Sequence, residues 1–191
     1  LIGDVVTLNV TGQHPLLYGK RAAWYFEPDA HGGTINDIGI HAFDLAVWLT
    51  GSPWARILGA RSWNAKATQA THFLDSAQML GQLESGAGVL ADFSYLAPDG
   101  LGYTLPQYWR VTVHGSKGLA ETYYQAKSVT LVTDQDKAVR EIPLQAPNPG
   151  AHLRDFLADL QGKPNPDGLN TRNILESSRQ ALLAQAVSEK A

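Results

Sequence analysis

A long run of strand-like segments most constrains what this 191-residue chain can fold into. Between residues 55 and 143, β-branched clusters and alternating apolar and polar residues recur in short segments, and Gly-rich or Asp-rich turns separate them. One turn, Ser85-Gly86-Ala87-Gly88, has a sequence typical of a tight hairpin. The predicted strands cover residues 55–66, 75–84, 89–96, 109–114, 119–124, 128–133 and 138–143.

Helical and extended segments flank this run. Residues 1–10 predict a further strand, residues 22–27 an aromatic strand or loop, and residues 37–49 an apolar helix. After the run, residues 151–161 predict an amphipathic helix, and Thr171 is expected to cap a last helix. This order predicts an α+β fold, with a large, mostly antiparallel open sheet and helices packed on one face. The length fits one domain, residues 1–191.

Composition excludes several classes of function. With 15 basic and 18 acidic residues, a net charge of −3 and no charged runs, the chain has no surface suited to nucleic acid or to an anionic membrane. The absence of cysteine excludes disulfides and thiolate metal sites and favours an intracellular, cytoplasmic setting. No segment has the length and apolarity of a membrane span. Because the chain begins with Leu1, we expect it to be cut from a longer protein.

The apolar helix at residues 37–49 carries one polar stripe. Asp37, His41, Asp44 and Trp48 follow one another at helical spacing on the same face, and almost all other positions are apolar. Burying an ionised carboxylate and an imidazole costs several kcal/mol unless they are paired or face a polar cavity, as a rough scale. We therefore expect Asp37 and His41 to face a cleft.

The start of this helix has its own signals. Gly32-Gly33 permits a sharp approach of the chain, and either Thr34 or Asn36 could cap the first amide groups. Gly39 costs about 1 kcal/mol relative to alanine inside a helix. Its presence therefore indicates close approach of another backbone or a ligand.

Three interpretations of Asp37 and His41 follow from residue types. They could form a structural pair in the core, or a general base whose basicity the neighbouring carboxylate raises. The third is a metal site, which would need further ligands such as His72 or Asp75. Because the chain has no dense cluster of His and Asp, we expect no metal. Asp44 is interpreted as structural, bonded to the backbone of a neighbouring loop.

Other candidate motifs favour structural interpretations. Gly86-Ala87-Gly88-Val89-Leu90-Ala91 matches a dinucleotide-binding fingerprint, but that fingerprint requires a helix after it, and alternating residues follow here. We therefore interpret it as a hairpin turn and expect no cofactor-binding residues in this chain. The remaining candidates are expected to be solvated histidines or sheet-edge aromatics: His14, His31, His114 and His152, and Tyr103, Tyr108 and Trp109.

Taken in order, these motifs resemble a known family. Gly32-Gly33, Asp37, Gly39, His41 and Asp44, followed by a Trp-Leu-x-Gly helix end, resemble the C-terminal domain of the glucose–fructose oxidoreductase/inositol dehydrogenase (Gfo/Idh/MocA) family. Later segments of the chain resemble that domain as well. They are residues 83–87 at the hairpin, residues 113–118 at a strand end, and residues 156–164 in the first C-terminal helix.

The resemblance implies an NAD(P)-dependent oxidoreductase that acts on sugars, polyols or related hydroxy compounds. It implies a C-terminal domain like that of glyceraldehyde-3-phosphate dehydrogenase, whose open sheet face commonly makes homo-oligomer contacts. The catalytic pair would correspond to Asp37 and His41. His41 would take the hydroxyl proton, and Asp37 would orient either His41 or the substrate hydroxyl. By position alone, Tyr25, His31 and His72 are candidates for binding the substrate.

The chain also departs from the family's pattern. The N-terminal Rossmann domain and the lysine of the family's Glu-Lys-Pro motif are absent, and Lys163-Pro164 lies in a C-terminal loop. We therefore expect NAD or NADP to be bound by the full-length parent through its own Rossmann domain. Residues 1–191 alone are expected neither to bind the cofactor nor to turn over. The alternatives are a non-catalytic binding or assembly domain, and a metal-assisted isomerase or lyase that uses Asp37 and His41.

Overall fold

A computed structural model describes residues 1–164 and 170–190 of the chain, and its centre is one open β-sheet. The strands are β1 (Val5–Pro15), β2 (Trp54–Trp63), β3 (Ser76–Leu83), β4 (Gly88–Ala97), β5 (Trp109–Gly115), β6 (Gly118–Tyr123), β7 (Ser128–Thr133) and β8 (Arg140–Pro143). Across the sheet they lie in the order β2-β3-β4-β1-β5-β6-β7-β8.

The pairing is antiparallel except at one place. β1 runs parallel to β4 on one side and antiparallel to β5 on the other, and the remaining neighbours pair antiparallel. The predicted α+β fold with a mostly antiparallel open sheet is therefore confirmed. Of the two alternatives for the aromatic segment, the structure has the loop, with a single 3₁₀ turn at Ala23–Phe26. The first strand begins and ends later than the predicted residues 1–10.

Three α-helices accompany the sheet: α1 (Ile40–Thr50), α2 (Ala151–Leu160) and α3 (Thr171–Ser188). A π-helical turn, Ile35–Gly39, leads directly into α1, so the helix predicted at residues 37–49 has two parts. Gly51 ends α1 in the left-handed conformation, with φ of 68°. The prediction that Thr171 caps the last helix is wrong by one residue, because Asn170 is the N-cap. The Oδ1 atom of Asn170, rather than Thr171, accepts the hydrogen bond from the backbone amide of Asn173 at 3.0 Å.

The core lies between one face of the sheet and helices α1 and α3. Alternation along β3 and β4 directs one set of side chains inward, and the fully buried Phe93 of β4 belongs to that set. Phe43 of α1 is also fully buried, and its ring packs on Trp54 with a centroid distance of 4.9 Å. Each such burial contributes about 1.5–3 kcal/mol. The core therefore fixes the position of the π-helical turn and α1 on the sheet.

The opposite face of the sheet carries no helix among the described residues. Exposed Leu80 and Leu90 lie there beside Arg61, Gln78 and Asp92, around a shallow groove of about 560 Å³. The predicted amphipathic pattern of α2 is present, but its apolar residues are exposed: Leu153, Phe156, Leu157 and Leu160. Within the described ranges, no helix combines the length and hydropathy needed to cross a bilayer.

Candidate active site

Two consecutive glycines turn the chain into the helix that carries the site. Gly32 and Gly33 have φ values of 79° and 95°, in the left-handed region that other residues rarely adopt. A Cβ on Gly33 would also lie 2.5 Å from Oε1 of Gln185 on α3. The expectation of a sharp approach at Gly32-Gly33 is confirmed.

The predicted side-chain cap at this helix start is wrong. Thr34 already has helical backbone angles, and its hydroxyl donates to the carbonyl oxygen of Leu74. The amide nitrogen Nδ2 of Asn36 donates to the carbonyl oxygen of Gly32 at 2.7 Å. Both polar groups therefore serve as donors to the backbone. The bond to Leu74 ties the helix start to the loop between β2 and β3.

The π-helical turn places Asp37 one turn before His41. A π turn is wider than an α turn, and such turns are frequent at functional sites. Gly39 lies at its end, where a Cβ would come within 2.9 Å of Cε2 of the buried Phe93 ring. The prediction that another backbone or a ligand approaches Gly39 is wrong, because the group that approaches it is the Phe93 side chain of β4. Gly39 lets the turn rest directly on the sheet.

Asp37 is the centre of a compact hydrogen-bonded cluster. Its Oδ2 atom accepts from the Tyr25 hydroxyl at 2.7 Å and from the Tyr95 hydroxyl. The Nε2 atom of His31 lies 3.4 Å from the same oxygen and 3.0 Å from the Tyr95 hydroxyl. The two phenol oxygens are 2.7 Å apart. We call Tyr25, His31, Asp37 and Tyr95 the carboxylate cluster.

This environment keeps Asp37 ionised. Burial alone would raise the pKa of its carboxyl group, but the hydrogen bonds from His31, Tyr95 and Tyr25 outweigh burial and hold the pKa well below its ordinary value. Burial and the nearby carboxylate raise the pKa of Tyr95, and burial is also the main cause that raises the pKa of Tyr25. Near neutral pH the cluster therefore holds a carboxylate and two protonated phenols.

The three residues expected to bind the substrate do not share one position. Tyr25 and His31 contact Asp37 directly, and the His31 ring packs on Phe73 with a centroid distance of 4.7 Å. The expectation of a solvated His31 is wrong, because its side chain is only 8% exposed. His72 lies outside the cluster. Its Nε2 atom is 2.8 Å from the carbonyl oxygen of Phe26, a pure acceptor, so His72 donates there.

His41 lies near Asp37 but is not bonded to it. Among the described residues, no hydrogen bond or ion pair joins the two side chains. His41 is exposed, and its ring meets the indole of Trp109 edge-on at a centroid distance of 5.5 Å. The Asp37 side chain is 38% exposed. The interpretation of these two residues as a structural pair in the core is therefore wrong, and both groups are accessible from solvent.

His14 belongs to this site, contrary to the expectation of a solvated residue. Its ring lies within 6.1 Å, centroid to centroid, of four aromatic rings, and its Nε2 atom is buried without a hydrogen-bond partner among the described residues. Burial lowers the pKa of His14 to about 4, although the charge of Asp37 opposes the shift. The four rings belong to Tyr95, Tyr103, Tyr108 and Trp109.

Strand periodicity contains the signal that would have located His14. Leu8, Val10 and Gly12 are buried on one face of β1, and His14 has the same parity. The predicted strand ends at residue 10, five residues before the end of β1, so the prediction leaves His14 in a loop. Tyr95 follows Phe93 on the inward face of β4 in the same way. The alternation predicted for residues 89–96 already includes Tyr95, and continuing the alternation of β1 to its end adds His14.

Arg21 is a second residue that the sequence did not indicate. Its Nη2 atom donates to the Pro15 carbonyl and to the Tyr103 hydroxyl, both at 2.8 Å. The guanidinium carbon lies 4.5 Å from the centre of the Tyr25 ring and 5.4 Å from that of Tyr95. Arg21 thus joins the carboxylate cluster to the aromatic rings around His14. Tyr103, Tyr108 and Trp109 accordingly line the site and are not merely packed at the sheet edge.

The residues proposed as additional metal ligands have other partners. Both carboxylate oxygens of the fully buried Asp75 accept backbone amide hydrogens, from Ala65, Lys66 and Ala67, at 2.6–2.8 Å. In the part of the chain that the structure describes, no group of three or more His, Asp or Glu side chains could hold a metal ion. Asp75 instead fixes the loop that carries Phe73 beneath His31.

Asp44 has a different partner from the one expected. Its Oδ1 atom accepts from the Ser177 hydroxyl on α3 at 3.4 Å, not from the backbone of a loop. The structural interpretation of Asp44 is consistent with this contact between α1 and α3. Asp44 therefore takes no part in the carboxylate cluster.

The glycines of the apparent dinucleotide fingerprint form a hairpin turn. β3 and β4 pair antiparallel on either side of it, and the residues after Gly88 continue as a strand, not as a helix. A pyrophosphate group requires the free amides of a helix N-terminus at that position. The described residues therefore do not fit a dinucleotide-binding site of this type.

Comparison with known proteins gives this fold and site a context. The family model described as the GFO/IDH/MocA C-terminal domain matches residues 1–121. The chain belongs to that family. Searching curated proteins with the sequence finds no significant match.

Several solved structures share the fold. One is a putative oxidoreductase from Erwinia carotovora atroseptica SCRI1043, with 24% identity and a TM-score of 0.83, covering 98% of this chain and 56% of that one. Another is aldose-aldose oxidoreductase from Caulobacter crescentus complexed with glycerol, with 20% identity and a TM-score of 0.72, covering 99% and 55%. A third is a super-repressor mutant of Gal80p from Saccharomyces cerevisiae, with 16% identity and a TM-score of 0.70, covering 98% and 56%.

These likenesses establish the fold of the Gfo/Idh/MocA C-terminal domain for this chain. The chain spans little more than half the length of each of the three structures. Two of them are oxidoreductases by name, and an oxidoreductase domain is the coarse functional class that the family membership supports.

Proposed function

We propose that residues 1–191 form the substrate-binding and catalytic half of an oxidoreductase that transfers a hydride between a hydroxy compound and a nicotinamide cofactor. The observation that carries this proposal is the accessible placement of Asp37 and His41 on consecutive helical turns beside a wall of aromatic rings. An ionised carboxylate and a solvent-accessible imidazole are the groups that general base chemistry on a hydroxyl requires.

In the proposed reaction, His41 accepts the proton of the substrate hydroxyl while a hydride leaves the carbon that bears it. The carbon–hydrogen bond breaks, and the oxygen lone pair forms the second bond of a carbonyl group. Asp37 has its recorded bonds to Tyr25, Tyr95 and His31 rather than to His41. Of the two roles expected for Asp37, this geometry favours orienting the substrate hydroxyl over orienting His41.

The cofactor belongs to another part of the parent protein. Nicotinamide, when bound, supplies the hydride acceptor, and the described residues do not fit a dinucleotide-binding loop. We therefore propose that a Rossmann domain of the parent holds NAD or NADP and closes over this site. Residues 1–191 then constitute a single substrate-binding and oligomerisation domain with no turnover by itself.

A sugar or polyol is the proposed substrate class. Aromatic ring faces suit the apolar C–H groups of such a molecule, while a carboxylate and an imidazole suit its hydroxyls. Both kinds of group meet at this site, since the Trp109 ring borders His41 and the Tyr25 hydroxyl borders Asp37. The name of the aldose-aldose oxidoreductase that shares the fold supports the same class.

A second candidate is a binding or assembly domain without catalysis. The likeness to Gal80p, which is a super-repressor in the mutant form of the solved structure, favours this candidate. In that case the carboxylate cluster would recognise a ligand without transforming it. The two candidates differ in what the loss of His41 does to the parent protein.

We expect His41→Ala to lower turnover of the full-length parent by about 100-fold or more, because a lost general base costs on that scale. The measurement is steady-state kinetics with a panel of sugars and polyols and both nicotinamide cofactors. His152→Ala, which alters an exposed histidine of α2, is the matched control and is expected to retain full activity. A parent with normal activity after loss of His41 would remove that residue from the mechanism.

A further inference from the structure

The carboxylate cluster has an asymmetry that general base chemistry does not require. Tyr25, Tyr95 and His31 all converge on one oxygen of Asp37, Oδ2. Among the described residues, no hydrogen bond reaches the other oxygen, Oδ1. The Asp37 side chain is nevertheless 38% exposed, whereas that of His31 is 8% exposed.

We propose that Tyr95 and His31 are positioning residues, which with Tyr25 fix Oδ2 of Asp37 and thereby present Oδ1 to a substrate hydroxyl. This inference rests on the proposed function of the domain and assigns the groups behind the carboxylate. It also changes the expected role of Tyr25 and His31, from direct substrate contacts to groups that act through Asp37.

The hydrogens in the cluster support this assignment. Each phenol has one hydrogen, and each hydroxyl is within bonding distance of Oδ2, so both donate to the carboxylate. The 2.7 Å contact between the two phenol oxygens is then a consequence of their shared acceptor. His31 donates from Nε2 to the Tyr95 oxygen at 3.0 Å, with Oδ2 at 3.4 Å. His31 thus aligns Tyr95, and Tyr95 aligns Asp37.

The surroundings make the cluster rigid. Tyr95 is fully buried on β4, and its ring packs against Phe73 with a centroid distance of 5.2 Å. The guanidinium of Arg21 lies over the Tyr25 ring, and its own hydrogen bonds go to Pro15, Leu16 and Tyr103. Two charged or titratable groups outside the cluster contact it: Arg21 lies over the Tyr25 and Tyr95 rings, and His14 meets the Tyr95 ring edge-on. These contacts hold the Asp37 carboxylate in place before the substrate arrives, and such preorganisation of a hydrogen-bond acceptor supports catalysis.

The test uses the chain itself, with carboxyl-carbon NMR of Asp37 across an acid titration. In Tyr95→Phe, we expect the pKa of Asp37 to rise by about 1 or more, the scale of one lost hydrogen bond to a charged group. Tyr123→Phe is the matched control, because it removes the hydroxyl of an exposed tyrosine on β6 that lies outside the cluster, and it should leave the titration unchanged. A folded Tyr95→Phe domain with an unaltered Asp37 titration would overturn the proposal.

Two further variants keep the test decisive if Tyr95→Phe does not fold. Tyr25→Phe and His31→Asn alter less buried members of the cluster and are expected to raise the same pKa. If both fold and neither moves it, the proposal is wrong. In the active parent, Tyr95→Phe is expected to lower kcat about tenfold while the variant is still fully folded, because the carboxylate acceptor is no longer held in place. A purely structural role would lower thermal stability and leave kcat of the folded enzyme unchanged.

The two proposals fail in different ways. If the parent lacks oxidoreductase activity but Asp37 titrates as expected in the variants, the cluster positions a carboxylate in a binding domain, and only the proposed function is wrong. If the parent is active and the Asp37 titration does not respond to any of the three variants, the positioning role is wrong and the proposed function is unaffected.

Discussion

One neutral imidazole contributes to the domain's loss of stability in mild acid. His14 is packed among four aromatic rings, and burial lowers its pKa to about 4 from an ordinary 6.5. Between those two values, the unfolded chain takes up a proton at His14 and the folded chain does not. The free energy of unfolding must therefore fall as pH decreases from about 6.5 to about 4. At lower pH, Asp37 causes a further loss of unfolding free energy. Its pKa is depressed in the folded protein, so its carboxyl group takes up a proton in the unfolded chain first.

We predict that His14→Gln reduces this acid sensitivity. The variant has no group at residue 14 that titrates between pH 6.5 and 4, so its unfolding free energy should change less across that window than that of the wild type. Urea unfolding at several pH values measures the difference. His114→Gln, on the exposed face of β5, is the control and should keep the wild-type slope. Parallel slopes for His14→Gln and wild type would contradict the prediction.

The residues also divide into those that the sequence could locate and those that it could not. Asp37 and His41 were found because two polar groups interrupt an apolar helix. Two of the bonding partners of Asp37, Tyr25 and His31, lie shortly before it in the chain, whereas Tyr95 of β4 lies 58 residues after it. No local pattern predicts that these side chains meet. For Tyr95 and His14 the inward parity of a strand is the sole local signal.

Among the elements, the π-helical turn depends most on a single residue. Gly39 allows the turn to lie against the ring of Phe93, which is fully buried. Alanine normally favours a helix over glycine by about 1 kcal/mol. At this position the added methyl group would overlap the ring, and overpacking costs about 1–3 kcal/mol. The cost of the overlap is therefore larger than the stability that alanine gains from its higher helix propensity.

Gly39→Ala is accordingly expected to lower the free energy of unfolding by about 1 kcal/mol, the difference between an overpacking cost of about 2 kcal/mol and a propensity gain of about 1 kcal/mol. Because the turn carries Asp37, the parent enzyme should lose activity as well. Chemical denaturation gives the stability change. Gly100→Ala, at an exposed position where a Cβ meets nothing within 4 Å, is the control and should be neutral. An unchanged or increased stability of Gly39→Ala would show that the turn can shift away from the sheet.

Element types were predictable from the sequence, but their ends were not. The strand run from β2 to β8 was found from alternation and turn residues, since each strand buries one face. The π turn was not, because it differs from an α turn by one residue of spacing and no composition marks it. The cap at Asn170 was missed because Asn170 and Thr171 are both good capping residues.

At the scale of the whole molecule, the uncovered sheet face is an exposed surface without an assigned role. Exposed leucines lie on it among Arg61, Gln78 and Asp92, so it offers both apolar and polar groups to a flat partner. We propose that a second copy of the chain covers this face in the parent, as the family resemblance implies. In a two-fold symmetric pair, this surface of one copy would meet the same surface of the other.

Leu80→Glu is predicted to dissociate such an assembly, since it places a charge in the groove of the uncovered face. Sedimentation equilibrium of the parent protein should show a shift towards monomer by at least about tenfold in the dissociation constant, a typical cost for a buried unpaired charge. Leu101→Glu, at a comparably exposed leucine of the loop after β4, is the control and should leave the assembly intact. Assembly that survives Leu80→Glu would assign the contact to another surface.

The central position of β1 has a consequence for how the chain reaches its native state. β2, β3 and β4 form one meander from neighbouring residues, and β5 to β8 form another, but the two have no edge in common. They become a single sheet only when the first strand inserts between them, parallel to one and antiparallel to the other. Its partners lie about 80 and 100 residues away along the chain. The last event in folding is thus expected to be the one that also brings His14 into contact with Tyr95, so that the reactive pocket forms only when the two halves join.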